Sequence, residues 1–148
     1  MSNGWLPAPL DETNCDADER YTIFRRDYLD APPDVFAPKP FEVDSRLVDG
    51  REVAFLHLTT TGSASRTHDP YRCGRIHWGR PVVQAVYTTH VTAWRKRQSG
   101  ENRIKIALRS FEYLVVLAED GKRVRLVTAF YVHDMNQRRK LQRERARS

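Results

Sequence analysis

The sequence predicts an α+β domain in which short N-terminal helices pack on a four-stranded antiparallel sheet and a basic helix ends the chain. Three observations lead to this prediction. Aromatic residues recur at helical spacing near the N-terminus, strand-like segments occupy the second half, and an arginine-rich stretch closes the sequence. The chain has 148 residues, which suits one compact domain, and a hydrophobic content of 40% is enough to form a core.

The N-terminal part is predicted to be an acidic segment over residues 1–40, flexible at first and then helical. Residues 1–19 carry several acidic residues and little periodicity, which is typical of a flexible lead-in. Residues 20–29 place aromatic side chains at helical spacing. Pro32 and Pro33 then stop the helix, because proline lacks the backbone N–H that a helix requires.

The main domain is predicted to span residues 41–134. Its first element is residues 52–58, a short strand-like segment that ends in a polar loop over residues 59–65. Asp69 followed by Pro70 indicates the start of a short helix, because Asp is a favoured N-cap and Pro a favoured first helical residue. A second short element is predicted at residues 82–87.

Three further strands complete the predicted sheet. Residues 103–108 alternate apolar and mostly basic side chains, and residues 112–118 form a nearly continuous apolar run. Asp120–Gly121 is a strong hairpin signal, so residues 122–132 are predicted to be the return strand.

The chain ends in residues 135–148, which are predicted to be a basic helix or tail with Asp134 as its N-cap. Residues 1–50 hold 11 acidic and 5 basic residues, whereas residues 51–148 hold 8 acidic and 20 basic ones. Such a positive surplus attracts polyanions, with nucleic acid as the first candidate. The alternatives are a solvated basic surface, or a tail that binds an acidic partner protein.

Several classes of protein are excluded or disfavoured by composition. No apolar run is long enough to cross a bilayer, so no membrane association is expected. The N-terminus shows no secretory signal, and Cys15 and Cys73 are too few for a disulfide scaffold or a zinc ribbon. These features predict a reducing, cytoplasmic setting.

A metal site is not predicted, and no cofactor is expected. His68, Cys73 and His77 match no common zinc spacing, and no second Cys/His pair completes four ligands. His133 and Asp134 form a pair found in metal phosphohydrolases, but further His and Asp ligands are lacking in suitable positions.

His57 is the leading candidate for proton transfer, because it ends the first predicted strand beside a polar loop. The alternative is a half-buried histidine bonded to a loop carbonyl. Metal-free RNA cleavage also needs cations or hydroxyls on the phosphate. Arg103, Lys105 and Arg109 supply cations, and Thr128 would join them if it lies on the same sheet face. The alternative is an ordinary exposed basic face.

Four strings of the sequence resemble the phage-associated nuclease toxins of the barnase–EndoU–colicin–RelE superfamily. They are Phe55–Leu58, Tyr71–Pro81, Tyr113–Leu117 and Leu126–Val132. The resemblance covers about residues 41–140 and implies an N-terminal helical part followed by a four-stranded antiparallel sheet whose face cleaves RNA without metal. The long acidic lead is not part of the family pattern.

The resemblance also implies roles for individual residues. His57 would act as general base or acid, Arg103 and Arg80 would stabilise the phosphorane, and Thr128 would orient the phosphate. Lys105, Arg109 and Tyr131 would contact the substrate. The expected product is a 2′,3′-cyclic phosphate.

We therefore expect a toxin or effector domain that cleaves RNA, with transfer RNA among the candidate substrates and an immunity protein as a further partner. Delivery into a target cell is compatible with this role. Two alternatives remain open, namely a non-catalytic nucleic-acid-binding module, and a structural phage or mobile-element protein whose basic tail docks an acidic partner.

Overall fold

The computed structural model describes residues 3–62 and 66–148, so the end of the predicted polar loop at residues 63–65 lies outside the described residues. The helices are α1 (Ala17–Phe24), α2 (Val53–Thr59), α3 (Pro70–Gly74), α4 (Gly79–Gln84) and α5 (Met135–Arg147), with a π-helical turn at Arg25–Asp30 and a 3₁₀ turn at Ile76–Trp78. The strands are β1 (Phe41–Glu42), β2 (Leu47–Val48), β3 (Arg51–Glu52), β4 (Thr60–Thr61), β5 (Thr67–His68), β6 (Val91–Gln98), β7 (Glu101–Leu108), β8 (Tyr113–Glu119) and β9 (Val124–Tyr131).

The main sheet confirms the α+β class, but it is a mixed sheet of five strands rather than the predicted antiparallel sheet of four. Its order is β1-β9-β8-β7-β6, in which β6 to β9 form four consecutive antiparallel strands. The fifth strand, β1, runs parallel to β9 and pairs with only Val124 and Arg125. Strand β6 has no counterpart among the predicted elements. It joins β7 through Ser99 and Gly100, both with positive φ, as a tight hairpin requires.

The two faces of this sheet carry separate cores. The N-terminal face, which we define by Ile106, Val115 and Leu126, is covered by the elements that precede β6. The opposite face, here called the α5 face, includes Lys105, Val116 and Thr128, which oppose one another across β7, β8 and β9. Helix α5 covers part of this second face. Thr128 therefore shares a sheet face with Lys105.

A β-bulge alters the edge of β9. Val116 opposes Thr128 and Leu117 opposes Leu126, so Val127 is an extra residue in β9. Among the described residues, no strand neighbours the outer side of β9 beyond Arg125; helices α2 and α3 pack there instead.

Residues 53–58 of the segment predicted as a strand belong to helix α2, so the prediction of a strand over residues 52–58 is wrong. Ala54, Phe55 and Leu58 are buried in the core of the N-terminal face. Their spacing of one and three residues is that of a helix face rather than of a strand. His57 consequently lies within α2 rather than at the end of a strand. The predicted element at residues 82–87 corresponds to α4, which begins three residues earlier.

Asp69 and Asp134 are the N-caps that the sequence predicts. Asp69 accepts a hydrogen bond from the backbone N–H of Arg72 at 3.1 Å, and Asp134 accepts one from Asn136 at 2.8 Å. Each carboxylate satisfies an N–H group that has no partner inside the first turn of its helix. The starts of α3 and α5 are thus encoded locally.

The acidic N-terminal segment packs against the domain, which differs from the expected flexible lead-in. Leu6 is buried in the core of the N-terminal face, and the indole of Trp78 donates to the carbonyl of Pro7 at 2.8 Å. Arg20 is buried and donates to the carbonyls of Cys73, at 3.0 Å, and Asp11, at 2.8 Å. Residues 3–40 therefore share one core with the sheet.

Cys15 and Cys73 form a disulfide with a Cα–Cα distance of 6.2 Å. One bridge does not make a disulfide scaffold, but disulfides persist in oxidising environments. The bridge therefore gives no support to the predicted reducing setting. None of the helices within the described ranges is long and apolar enough to span a membrane.

Glu144 of α5 closes the α5 face over Lys105. Its carboxylate lies 2.9 Å from the ammonium of Lys105, and it accepts hydrogen bonds from Lys96 at 2.7 Å and from the indole of Trp94 at 2.8 Å. Burial raises the pKa of Glu144, but these hydrogen bonds and the charge of Lys105 outweigh it and lower the pKa to about 2. The group is therefore a stabilising anion at neutral pH.

Reduction of the disulfide is expected to lower the free energy of unfolding by about 4 kcal/mol, because the bridge links residues 58 positions apart. Denaturant unfolding with and without a phosphine reductant measures the change. The matched control is the Cys15→Ser/Cys73→Ser double variant, which should be insensitive to reductant. Equal unfolding midpoints for the oxidised and reduced wild type would contradict the prediction.

Replacement of Glu144 by Gln is expected to destabilise the fold by about 3 kcal/mol at pH 7, since Lys105 would stay buried without its anion. The folded-state pKa of about 2 lies below the ordinary 4.5, so this stabilisation is present above about pH 5 and is lost as the pH falls towards 2. Unfolding curves against pH should be flatter for Glu144→Gln. Adding Lys105→Met to that variant should restore stability, and no restoration would contradict a buried-charge effect.

Candidate functional site

His57 lies at the outer edge of β9, beside the bulge. Its Nδ1 is 3.4 Å from the carbonyl oxygen of Val127. A carbonyl oxygen only accepts hydrogen bonds, so Nδ1 carries the proton in this contact. The neutral imidazole then keeps a free lone pair on Nε2. The contact is similar to the predicted alternative for His57, a half-buried ring bonded to a loop carbonyl, except that the carbonyl belongs to strand β9. The contact leaves one ring nitrogen able to accept a proton.

Arg72 reaches the same edge from α3. Its Nη1 donates to the backbone carbonyl of His57 at 2.7 Å and to Oγ1 of Thr128 at 3.2 Å. The Thr128 hydroxyl also lies 3.4 Å from the His57 carbonyl, and the guanidinium carbon is 4.9 Å from the centre of the Phe130 ring. These contacts hold an imidazole, a guanidinium and a hydroxyl together at one sheet edge.

Arg66 adds a second cation to this group. Its guanidinium donates to the hydroxyl and the carbonyl of Thr60, each at 2.7 Å, and to the carbonyl of Gly62 at 2.5 Å. Burial is the largest cause that lowers the pKa of His57, and the charges of Arg66 and Arg72 lower it further. The contact with Val127 and the charge of Asp44 act in the opposite direction without reversing the shift. His57 is therefore neutral at pH 7.

Arg103 and Lys105 do not join His57, although they lie on the α5 face with Thr128. Lys105 is only 6% exposed beneath Glu144, and Arg103 pairs with Glu101 at 3.4 Å, as Arg72 does with Asp69. Strands β7 and β9 are two positions apart in the sheet, which corresponds to about 10 Å. The expected open surface uniting His57 with Arg103 is replaced by an edge site in which Arg72 supplies the guanidinium.

The remaining predicted site residues occupy other places. Arg80 donates to the carbonyl of Ala31 at 2.9 Å, and Arg109 donates to the carbonyl of Thr89 at 3.0 Å. Neither contact involves the β9 edge. Tyr131 lies at the end of β9, three residues beyond Thr128, beneath the guanidinium of Arg75.

Cys15, His68 and Cys73 are the described residues whose ligand atoms lie close enough to hold a metal ion, all within 4.8 Å of one another. The two sulfur atoms are bonded to each other, which leaves the imidazole of His68 as the one available ligand. His77, which shares the predicted cluster by sequence, instead places Nε2 2.8 Å from the carbonyl oxygen of Ala8.

Sequence reasoning missed Arg66 and Arg72. Arg72 lies three residues after the correctly predicted N-cap Asp69, so its place on the first turn of a helix was readable. Its contacts were not, because Thr128 lies 56 residues further along the chain. The assignment of residues 52–58 to a strand also pointed His57 towards the sheet face rather than towards its edge.

We expect His57 to titrate below about 6.5, the ordinary value for histidine, and its neutral form to carry the proton on Nδ1. NMR correlation of the imidazole nitrogens against pH measures both properties. Replacement of Arg66 by Gln removes a neighbouring charge and should raise this pKa towards its ordinary value. An Nε2-protonated ring in the wild type would contradict the assigned tautomer.

The chain matches no protein-family model, no curated protein and no solved structure.

Proposed function

We propose that this protein is a metal-independent endoribonuclease of the toxin or effector type. The observation that carries the proposal is the convergence of a neutral His57 with Arg66, Arg72 and the Thr128 hydroxyl at the β9 edge. A neutral imidazole can remove a proton from a hydroxyl, and guanidinium groups match the oxygens of a phosphate. A base for the hydroxyl and a cation for the phosphate are the two functions that metal-free attack on an RNA phosphodiester uses.

The reaction proceeds by attack of the 2′-hydroxyl. Nε2 of His57 accepts the hydroxyl proton while the 2′-oxygen bonds to phosphorus and the bond from phosphorus to the 5′-oxygen breaks. The leaving 5′-oxygen takes up a proton from solvent, so the products are a 2′,3′-cyclic phosphate and a free 5′-hydroxyl. Arg66 and Arg72 offset the charge that grows on the phosphate oxygens, and Thr128 orients them.

The resemblance to barnase–EndoU–colicin–RelE nuclease toxins supports the proposed function. This protein and those toxins share an α+β layout with consecutive antiparallel strands, and the strings around His57 and Thr128 carry the likeness. RNA is the proposed partner, with an immunity protein as the second. A toxin that crosses an oxidising space before acting on cytoplasmic RNA is compatible with the Cys15–Cys73 bridge.

The second candidate is a non-catalytic nucleic-acid-binding module. It is favoured by a basic groove whose lining does not include His57, so that nucleic acid could bind there without being cleaved. The groove, of about 550 Å³, runs between β6 and α5; it is lined by Arg95, Lys96, Lys140, Arg143, Glu144, Arg147 and Ser148. Its cations can contact phosphates without reading sequence. This candidate requires salt-sensitive binding without turnover, and affinity that is unchanged in His57→Ala.

Purified wild-type protein should cleave RNA in the presence of EDTA and leave 2′,3′-cyclic phosphate ends. His57→Ala should reduce the rate about 10²- to 10⁴-fold through loss of the base, and Arg72→Ala about 10²- to 10³-fold through loss of transition-state stabilisation. Arg80→Ala and Arg103→Ala are the matched controls and should stay near the wild-type rate. Because His57 must be neutral, the rate should fall as the pH drops through its lowered pKa.

Three results would count against the proposal. They are RNA left intact by folded wild-type protein, cleavage that depends on added metal, and full activity in His57→Ala. If Arg103→Ala reduced the cleavage rate as much as Arg72→Ala, the result would indicate that the active site lies on the sheet face rather than at the β9 edge. Each variant is checked for folding by circular dichroism, so that a loss of rate reports on the site.

A further inference from the structure

An aromatic stack that includes two exposed residues, Tyr71 and His133, lies next to the proposed nuclease site. The ring of Tyr71 is 4.8 Å from that of His133 and 5.6 Å from that of Tyr131, with interplanar angles of 24° and 26°. Tyr71 joins the stack from α3, Tyr131 is the last residue of β9, and His133 lies two residues beyond it. Tyr71 is 41% exposed and His133 is also exposed.

Two guanidinium groups fix the inner ring of this stack. The guanidinium carbon of Arg75 lies 4.0 Å from the centre of the Tyr131 ring, and that of Arg138 lies 5.7 Å away. Arg138 also donates to the Tyr131 hydroxyl at 3.4 Å and to the carbonyl of Val132 at 2.6 Å. The stack is therefore anchored on its protein side by cation–π contacts, and Arg75 is itself paired with Glu12 at 2.9 Å.

The stack and the proposed phosphate site are held by the same two elements. Tyr71 is the neighbour of Arg72 in α3, and Tyr131 follows Thr128 by three residues in β9, with its side chain on the N-terminal face rather than on the α5 face. Three residues of a strand advance about 10 Å. A single strand of RNA bound with a phosphate at Arg72 could thus present a neighbouring base to Tyr71.

We propose that Tyr71, Tyr131 and His133 form a subsite on which a nucleobase flanking the cleaved phosphate stacks. This inference rests on the proposed nuclease function for its place in the reaction, but it concerns binding alone. Every base has a flat π face, so a ring platform holds single-stranded RNA with little regard to sequence. The subsite contributes affinity and positioning, while His57 and Arg72 carry out the chemistry.

Binding is measured by fluorescence anisotropy with a labelled, fully 2′-O-methylated RNA of mixed sequence, which lacks the attacking hydroxyl and stays intact. Tyr71→Ala should weaken binding about tenfold, because loss of the ring removes base stacking. Tyr71→Phe keeps the ring and should bind like the wild type. Tyr87→Ala is the matched control, since Tyr87 is an exposed tyrosine in another part of the chain.

A second ligand separates base stacking from general attraction to phosphates. An oligomer with the same 2′-O-methylated sugar–phosphate backbone but abasic at every position should bind the wild type and Tyr71→Ala equally. The loss of binding free energy caused by Tyr71→Ala and the loss caused by removing the bases should therefore not be additive. A tenfold loss on both ligands, or no loss on the base-containing ligand, would overturn the subsite.

The outcomes also distinguish this inference from the nuclease proposal. A protein that cleaves RNA but shows no Tyr71 effect refutes the subsite and leaves the nuclease standing. A protein that binds with the base-dependent Tyr71 effect but never cleaves supports the subsite and refutes the nuclease. The absence of any binding to the methylated RNA overturns the subsite.

Discussion

The outer edge of β9 is the constraint on which the rest of the site depends. Strand β1 pairs with only two residues of β9, and a sheet edge beyond such a short partner must be covered by something else. Helices α2 and α3 provide that cover, and their side chains meet β9 where the Val127 bulge interrupts its regular pairing. His57 and Arg72 are together because both belong to the elements that cover this edge.

The hydrogen bonds at this edge link backbone and side chains into one unit. The carbonyl of His57 accepts from Arg72, and Arg72 also donates to Thr128, so three separate chain segments share one guanidinium. The same α3 helix carries Cys73, whose disulfide and whose carbonyl contact with Arg20 attach the N-terminal segment. The N-terminal segment therefore stabilises the position of α3, which carries Arg72, although the segment contributes none of the proposed catalytic groups.

The α5 face illustrates how tertiary packing removes a candidate surface. Arg103, Lys105 and Thr128 share this face, as a basic sheet surface requires. The terminal helix nevertheless places Leu141 in the apolar cluster on this face and Glu144 over Lys105. A buried ammonium needs a nearby anion, so the apparent phosphate-binding lysine is a structural ion pair. Exposed basic groups on this side of the sheet lie along α5 and on β6, where Arg95 is 69% exposed.

Much of the fold was readable from local patterns. The strands β7, β8 and β9 follow from alternation, an apolar run and the Asp120–Gly121 turn, and the starts of α3 and α5 follow from Asp69 and Asp134. The missed strand β6 had a signal in its Ser99–Gly100 turn, and the spacing of Ala54, Phe55 and Leu58 was already helical. The error at residues 52–58 arose because a short apolar segment fits either period, whereas β6 is mostly polar and basic and carries little apolar pattern.

The amino-acid order alone determined the α+β class, the positive second half, the helix caps and the candidacy of His57 and Thr128. These properties depend on residue type and on spacing within a few positions. Tertiary structure alone decided that Arg72 rather than Arg103 lies beside His57. It also decided that Lys105 forms an ion pair with Glu144 and that residues 3–19 pack on the domain. Such contacts join residues tens of positions apart, and only the packing of helices on sheet edges and faces determines which of them meet.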